Sequence, residues 1–92
     1  MENTRAPGPW FVEGKSIKSY DHGRGYTVAR VDNKLFTPEA NAGNAALIAA
    51  APELLEALEA LTRILKPYMG QGRMDDQINA ALEAIARARG EP

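Results

Sequence analysis

From Trp10 onward the chain alternates short apolar-polar runs with turn residues, and then changes to a helical period. Trp10-Phe11-Val12 favours a strand, and Gly14 marks a turn after it. Ile17 to Tyr20 reads as a second short strand. Asp21-His22-Gly23-Arg24-Gly25 reads as a turn, because its two glycines accept positive φ without steric cost. Tyr26 to Val31 is the third strand, with Thr27, Ala29 and Val31 on one face and Tyr26, Val28 and Arg30 on the other. Asp32-Asn33-Lys34 is a further turn, and Leu35-Phe36 extends as a short edge piece. The pattern predicts a short antiparallel three-stranded meander that is marginal alone and needs a cover.

The cover is helical. Thr37 is placed to cap a helix, with Pro38 at its first position and Glu39 near the positive end of its dipole. This helix is expected from Pro38 to about Ala50. Pro52 lacks an N–H and its ring opposes the preceding turn, so it kinks the helix and opens a second one, with Ala51 pushed out of the α region. Leu54, Leu58, Leu61 and Leu65 follow at spacings of four, three and four, and Leu55 and Ile64 widen that stripe. Pro67 and Gly70 end it, and Gly70-Gln71-Gly72 is a flexible connector. Asp75 is the expected cap of a third helix reaching about Arg89, with Ile78, Leu82 and Ile85 on one face and Gly90 as the stop. A short connector makes the last two helices an antiparallel hairpin. The expected class is therefore α+β: a three-stranded meander followed by a kinked helix and a C-terminal helical hairpin. One domain spans 1–92, with a flexible Pro-Gly-Pro lead-in over 1–9, the meander over 10–36 and a helical part over 37–90.

Composition narrows the chemistry. The 92 residues include no cysteine, which excludes disulfide frameworks, thiolate metal sites and cysteine nucleophiles. No apolar run approaches the ~20 residues of a membrane span, and no apolar stretch near the N-terminus resembles a secretory signal. No membrane partner and a cytoplasmic location are expected. The net charge is −1, which gives no global electrostatic case for direct nucleic-acid binding. Residues 1–36 carry six Lys/Arg against four Asp/Glu, and the remainder five against eight. The meander thus has a mildly basic surface, although an ordinary solvated surface gives the same count.

Candidate chemistry is sparse. His22 is the sole histidine, and no nucleophile motif accompanies it, so an exposed turn residue is the simpler reading. No catalytic residues, cofactor or metal site are expected. Asp75-Asp76 reads as dipole compensation at a helix start. Gly23-Arg24-Gly25 suits either a hairpin or a phosphate cradle. Lys15, Lys18, Arg24 and Arg30 lie near it, and Tyr20 and Tyr26 flank it, so a nucleotide site on the meander competes with plain cross-strand packing. Asn41 and Asn44 share a helix face, with Gly43 between them allowing close approach. A polar patch at the positive end of a helix suits a polar or anionic ligand; alternatively, Asn44 satisfies a strand or loop backbone group. Trp10 reads as a core anchor.

Pro7-Gly8-Pro9-Trp10 together with NAALIAAAPELLEAL at Asn44 to Leu58 resembles a group of small proteins encoded by bacteriophages and prophages. Their shared plan is a strand meander after a Pro-Gly-Pro-Trp start, an N-A-x-L-I-A-A-A-P-E-L-L helix and a final helix. More distantly the chain is similar to the phage anti-Thoeris sponges, which sequester host immune signals of the cyclic ADP-ribose type as oligomers. That resemblance implies a non-enzymatic anti-defence protein binding a cyclic nucleotide-type ligand. Asn44 would then match the asparagine that opens the family helix, and Arg24 or Arg30 would meet phosphates of a ligand held between subunits. By their own chemistry Tyr26 would stack on a base and Asn41 would share the polar face of Asn44. It also implies a homo-oligomer, for which the helical face is available. The alternative is an inhibitor of a host defence protein, as anti-CRISPRs are, with Glu53, Glu56 and Glu59 imitating nucleic-acid charge; a phage accessory or regulatory protein is the third reading.

Overall fold

A computed structural model describes residues 5–70, 72 and 74–91. Three strands, β1 (Trp10–Glu13), β2 (Ser16–Asp21) and β3 (Arg24–Arg30), form an antiparallel sheet in the order β1-β2-β3. They are followed by α1 (Pro38–Ala49), α2 (Ala51–Leu65), a 3₁₀ turn over Lys66–Tyr68 and α3 (Asp75–Ala88). The fold is α+β, with three strands preceding three helices. The chain divides into two compact units, Met1–Glu53 and Leu54–Pro92. The division falls inside α2, and not between meander and helices, because α1 packs on β1 and β2.

Both hairpins turn in two residues. Gly14 takes φ +61° at the first central position between Glu13 and Ser16, as a type II′ turn requires. His22 and Gly23 take φ 54° and 80° between the paired Asp21 and Arg24, the double positive φ of a type I′ turn. Gly25, expected in this turn, lies instead within β3. A Cβ there would stand 2.9 Å from Tyr20 Cε1, so the glycine makes room for the Tyr20 ring lying across it.

The register departs from strict alternation. Ile17 pairs with Ala29 and Lys18 with Thr27, which leaves Val28 as an extra residue in β3. This β-bulge reverses the faces expected on one side of it. Trp10, Ser19 and Tyr26 form one cross-strand row and Val12, Ile17 and Ala29 the next, all on one face. Arg24, two residues before Tyr26, shares that face. Arg30, opposite Ser16, falls on the other face together with Lys18. Tyr26 and Arg30, expected side by side, are therefore on opposite faces of the sheet.

Among the described residues of the first unit, Ile17 and Ser19 are fully buried, and Ala45 of α1 is buried as well. Part of the expected lead-in is held down: Ser19 Oγ donates to the Pro7 carbonyl, and Trp10 Nε1 donates to that of Ala6 at 3.2 Å. Gly8 lies against Pro52; a Cβ on it would sit 2.9 Å from Pro52 Cβ. Residues 1–4 of that expected lead-in lie outside the described residues.

Thr37 caps α1 as its position suggests, accepting from the Ala40 N–H at 3.1 Å, and Pro38 opens the helix. The interruption before Pro52 falls at Ala50, one residue earlier than expected, and Ala51 is already helical. Leu35-Phe36 form no strand. Asn33 turns the chain instead: its Oδ1 accepts from Leu35 N at 2.9 Å and its carbonyl from Phe36 N at 3.1 Å.

In the second unit, Arg89 bonds to Glu59, so the end of α3 lies beside the middle of α2 and the two helices run antiparallel. Ile78, Ile85 and Thr62 are buried between them. The inward face of α2 is Leu55, Leu58, Thr62 and Leu65, whereas Leu54, Leu61 and Ile64 of the expected stripe are exposed. Thr62 tolerates burial because its hydroxyl bonds to the carbonyls of Leu58 and Glu59, at 2.9 and 3.0 Å. Asp75 is the first helical residue of α3 and not its cap; its carboxylate accepts from the Gly70 N–H at 3.1 Å, closing the connector. Gln71, expected in that connector, lies outside the described residues.

Candidate functional site

The first unit carries an open groove where the chain leaves β3 and enters α1. The loop of residues 31–36 forms one wall and α1 the other. Its volume is about 610 Å³, and Arg30, Lys34, Phe36, Asn41 and Asn44 are among its lining residues. A second depression of about 440 Å³ adjoins it on the same loop and extends toward Val12 and Ala45.

Asn41 holds the loop in place. Its Nδ2 donates to the Asn33 carbonyl at 2.9 Å, and its Oδ1 accepts from the Asn33 N–H at 3.4 Å. The amide is thus committed to the backbone, the part that the sequence left open for Asn44. Asn44 itself is exposed and its side chain makes no hydrogen bond to any described residue, so its amide donors and acceptor are available to a ligand.

Two cations flank one carboxylate on this loop. Asp32 accepts an ion pair from Lys15 at 3.3 Å and another from Arg30 at 3.7 Å. Because Lys15 alone can neutralise Asp32, Arg30 can turn toward a bound anion without leaving that carboxylate unpaired. Exposed pairs of this kind hold their partners by only ~0–1 kcal/mol. Lys34 is exposed and forms no ion pair with any described residue. Phe36, about half exposed, also lines the groove. Sequence reasoning did not single out Lys34 or Phe36, which it placed in a turn and an edge strand.

Arg24 and Tyr26 are not part of this groove. Arg24 sits at the hairpin tip, where His22 Nδ1 meets Asp21 Oδ1 at 2.9 Å. Of the five residues singled out, Arg30, Asn41 and Asn44 come together; Arg24 and Tyr26 lie further along β3 toward the hairpin, and the bulge at Val28 sets them on the face opposite Arg30. Tyr20 also leaves the expected cluster; its ring contacts Phe11 on the uncovered sheet face, with centroids 6.0 Å apart. In the helices, Glu59 is paired with Arg89, which removes it from the acidic row with Glu53 and Glu56. Among the described residues, no group of three or more His, Cys, Asp or Glu could hold a metal ion.

A family model described as Salmonella phage P22 protein Y8K6 matches residues 1–92. The chain belongs to that family. Membership makes it a small phage-encoded protein, in agreement with the resemblance carried by Pro7–Trp10 and the alanine-rich helix. No curated protein and no solved structure matches the chain. Among the described residues, no helix of this family member is long and apolar enough to cross a membrane.

Proposed function

We propose that this phage protein is a non-enzymatic binding protein that captures a nucleotide-type host immune signal in the groove between the 31–36 loop and α1. The observation that carries the reading is the grouping of Arg30, Lys34, Phe36 and Asn44 around one opening. Two cations suit phosphate, an aromatic ring suits a base, and a free amide suits the polar edge of a base or ribose. A volume of about 610 Å³ falls within the ~300–1,000 Å³ range of small-ligand sites. In this mechanism Lys34 and Arg30 meet phosphates, Phe36 stacks and Asn44 reads a polar edge. Asn41 positions the loop and does not touch the ligand. No bond is made or broken; the protein lowers the free concentration of the signal by mass action.

Native mass spectrometry of the purified protein tests this directly. The protein is incubated with cyclic dinucleotides, cyclic trinucleotides and cyclic ADP-ribose isomers. One member of that panel is expected to remain bound at a fixed stoichiometry. A protein that takes up none of them contradicts the reading.

A further inference from the structure

The side of α2 turned away from α3 carries an apolar seam. Leu54, Ala57, Leu61 and Ile64 recur at intervals of three and four, and Tyr68 continues the series onto the 3₁₀ turn. This is the spacing by which one helix packs along another. All five are exposed: Leu54 by 53%, Leu61 by 52%, Ile64 by 65% and Tyr68 by 55%, and Ala57 likewise. Such a continuous exposed seam is unusual on a lone chain.

We propose that this seam is a two-fold, antiparallel self-association surface, with the α2 helices of two copies crossing at Leu61. Three observations choose a second copy as the occupant. First, the seam is nearly symmetric about Leu61, so a two-fold axis there places Leu54 against Tyr68 of a second copy and Ala57 near its Ile64. A small residue then faces a large one, as interdigitation requires, and the same patch serves both copies.

Second, the charges of α2 are polarised. Glu53 and Glu56 lie in its first half, whereas Arg63 lies near its end and Lys66 just beyond it. An antiparallel pair sets acids beside bases and opposes the two helix dipoles. A parallel pair would set like charges together.

Third, the second unit is small. Leu54–Pro92 falls just under the ~40 residues below which disulfides, metals or association are usually needed for stability. The chain has no cysteine, and no metal-holding cluster exists among the described residues. Among the described residues, the buried apolar side chains of this unit are only Ile78 and Ile85. The surface is proposed independently of any ligand in the groove, and its test contains none.

The absence of cysteine makes the test clean. Sedimentation velocity of the unmodified chain at micromolar concentration is expected to give a dimer, and Leu61→Glu a monomer with unchanged helical circular dichroism. Single variants Leu61→Cys and Leu54→Cys, and the double variant Leu54→Cys/Tyr68→Cys, are then oxidised. Leu61→Cys and the double variant should cross-link to covalent dimers, while Leu54→Cys alone should not. A monomer at all concentrations overturns the proposal. Efficient cross-linking of Leu54→Cys alone shows a parallel pair and also overturns it.

Discussion

Asn41 grips Asn33 by both of its backbone groups, donating to the carbonyl and accepting from the N–H across eight residues of chain. One side chain from the first turn of α1 therefore fixes the loop that forms the other wall of the groove. Net hydrogen bonds of this kind contribute ~0.5–1.5 kcal/mol each. Asn41→Ala is expected to lower unfolding free energy by about 1–2 kcal/mol in urea titration. Hydrogen exchange should quicken at the amides of Asn33 and Phe36, with the strand amides unchanged.

Gly8 is a packing position. Its neighbour is Pro52, whose ring cannot rotate away, and an added Cβ would come within 2.9 Å of it. Overpacking against a rigid group costs ~1–3 kcal/mol. Gly8→Ala is expected to fall in that range by thermal denaturation. In a Pro52→Gly background the loss caused by Gly8→Ala should be smaller, since that change removes the opposing Cβ.

Thr62 is buried with its hydroxyl already bonded to two carbonyls of its own helix. Those carbonyls keep their helical partners, so the hydroxyl can be removed without orphaning a buried group. Thr62→Val should be neutral or stabilising by up to ~1 kcal/mol, and Thr62→Asn destabilising by ~2 kcal/mol or more. Chemical denaturation of both variants checks the pair of signs.

The Glu59–Arg89 pair ties the end of α3 to α2 but remains partly solvated. Such pairs are worth ~0–1 kcal/mol and are screened by salt. A double-mutant cycle with Glu59→Gln and Arg89→Gln should give a coupling within that range at low salt. The coupling should shrink in 1 M sodium chloride.

The strand order, the Thr37 cap and the break near Pro52 were legible because each has a local cause: a turn glycine, a hydroxyl or a missing N–H. The bulge was not. Val28 carries no sign of being the extra residue, since a bulge is set by which neighbours pair across the sheet. Counting by twos therefore put Tyr26 on the face of Arg30, and the bulge moves it to the other, whereas Arg24 is lost because it lies at the opposite end of β3. The groove was half legible. Polar residues at the start of α1 pointed to it, but which asparagine is consumed depends on where the loop lies, and the loop falls beside Asn41. Lys34 and Phe36 became visible only when Asn33 was seen to turn the chain back along α1. The leucine stripe was misplaced for a similar reason: a threonine that bonds to its own helix can face inward, and the apolar count ignored it.

The central claim is that the groove, and not the hairpin, receives the ligand. The most direct test is a titration of the ¹⁵N-labelled protein with the nucleotide retained in native mass spectrometry, followed by amide chemical shifts. The account predicts shifts grouped at Arg30, Lys34, Phe36 and Asn44, with Arg24 and Tyr26 unmoved, and Asn44→Ala weakening binding about tenfold, the loss of ~1.4 kcal/mol. Shifts centred on Asp21 to Tyr26, or none at all, would contradict it.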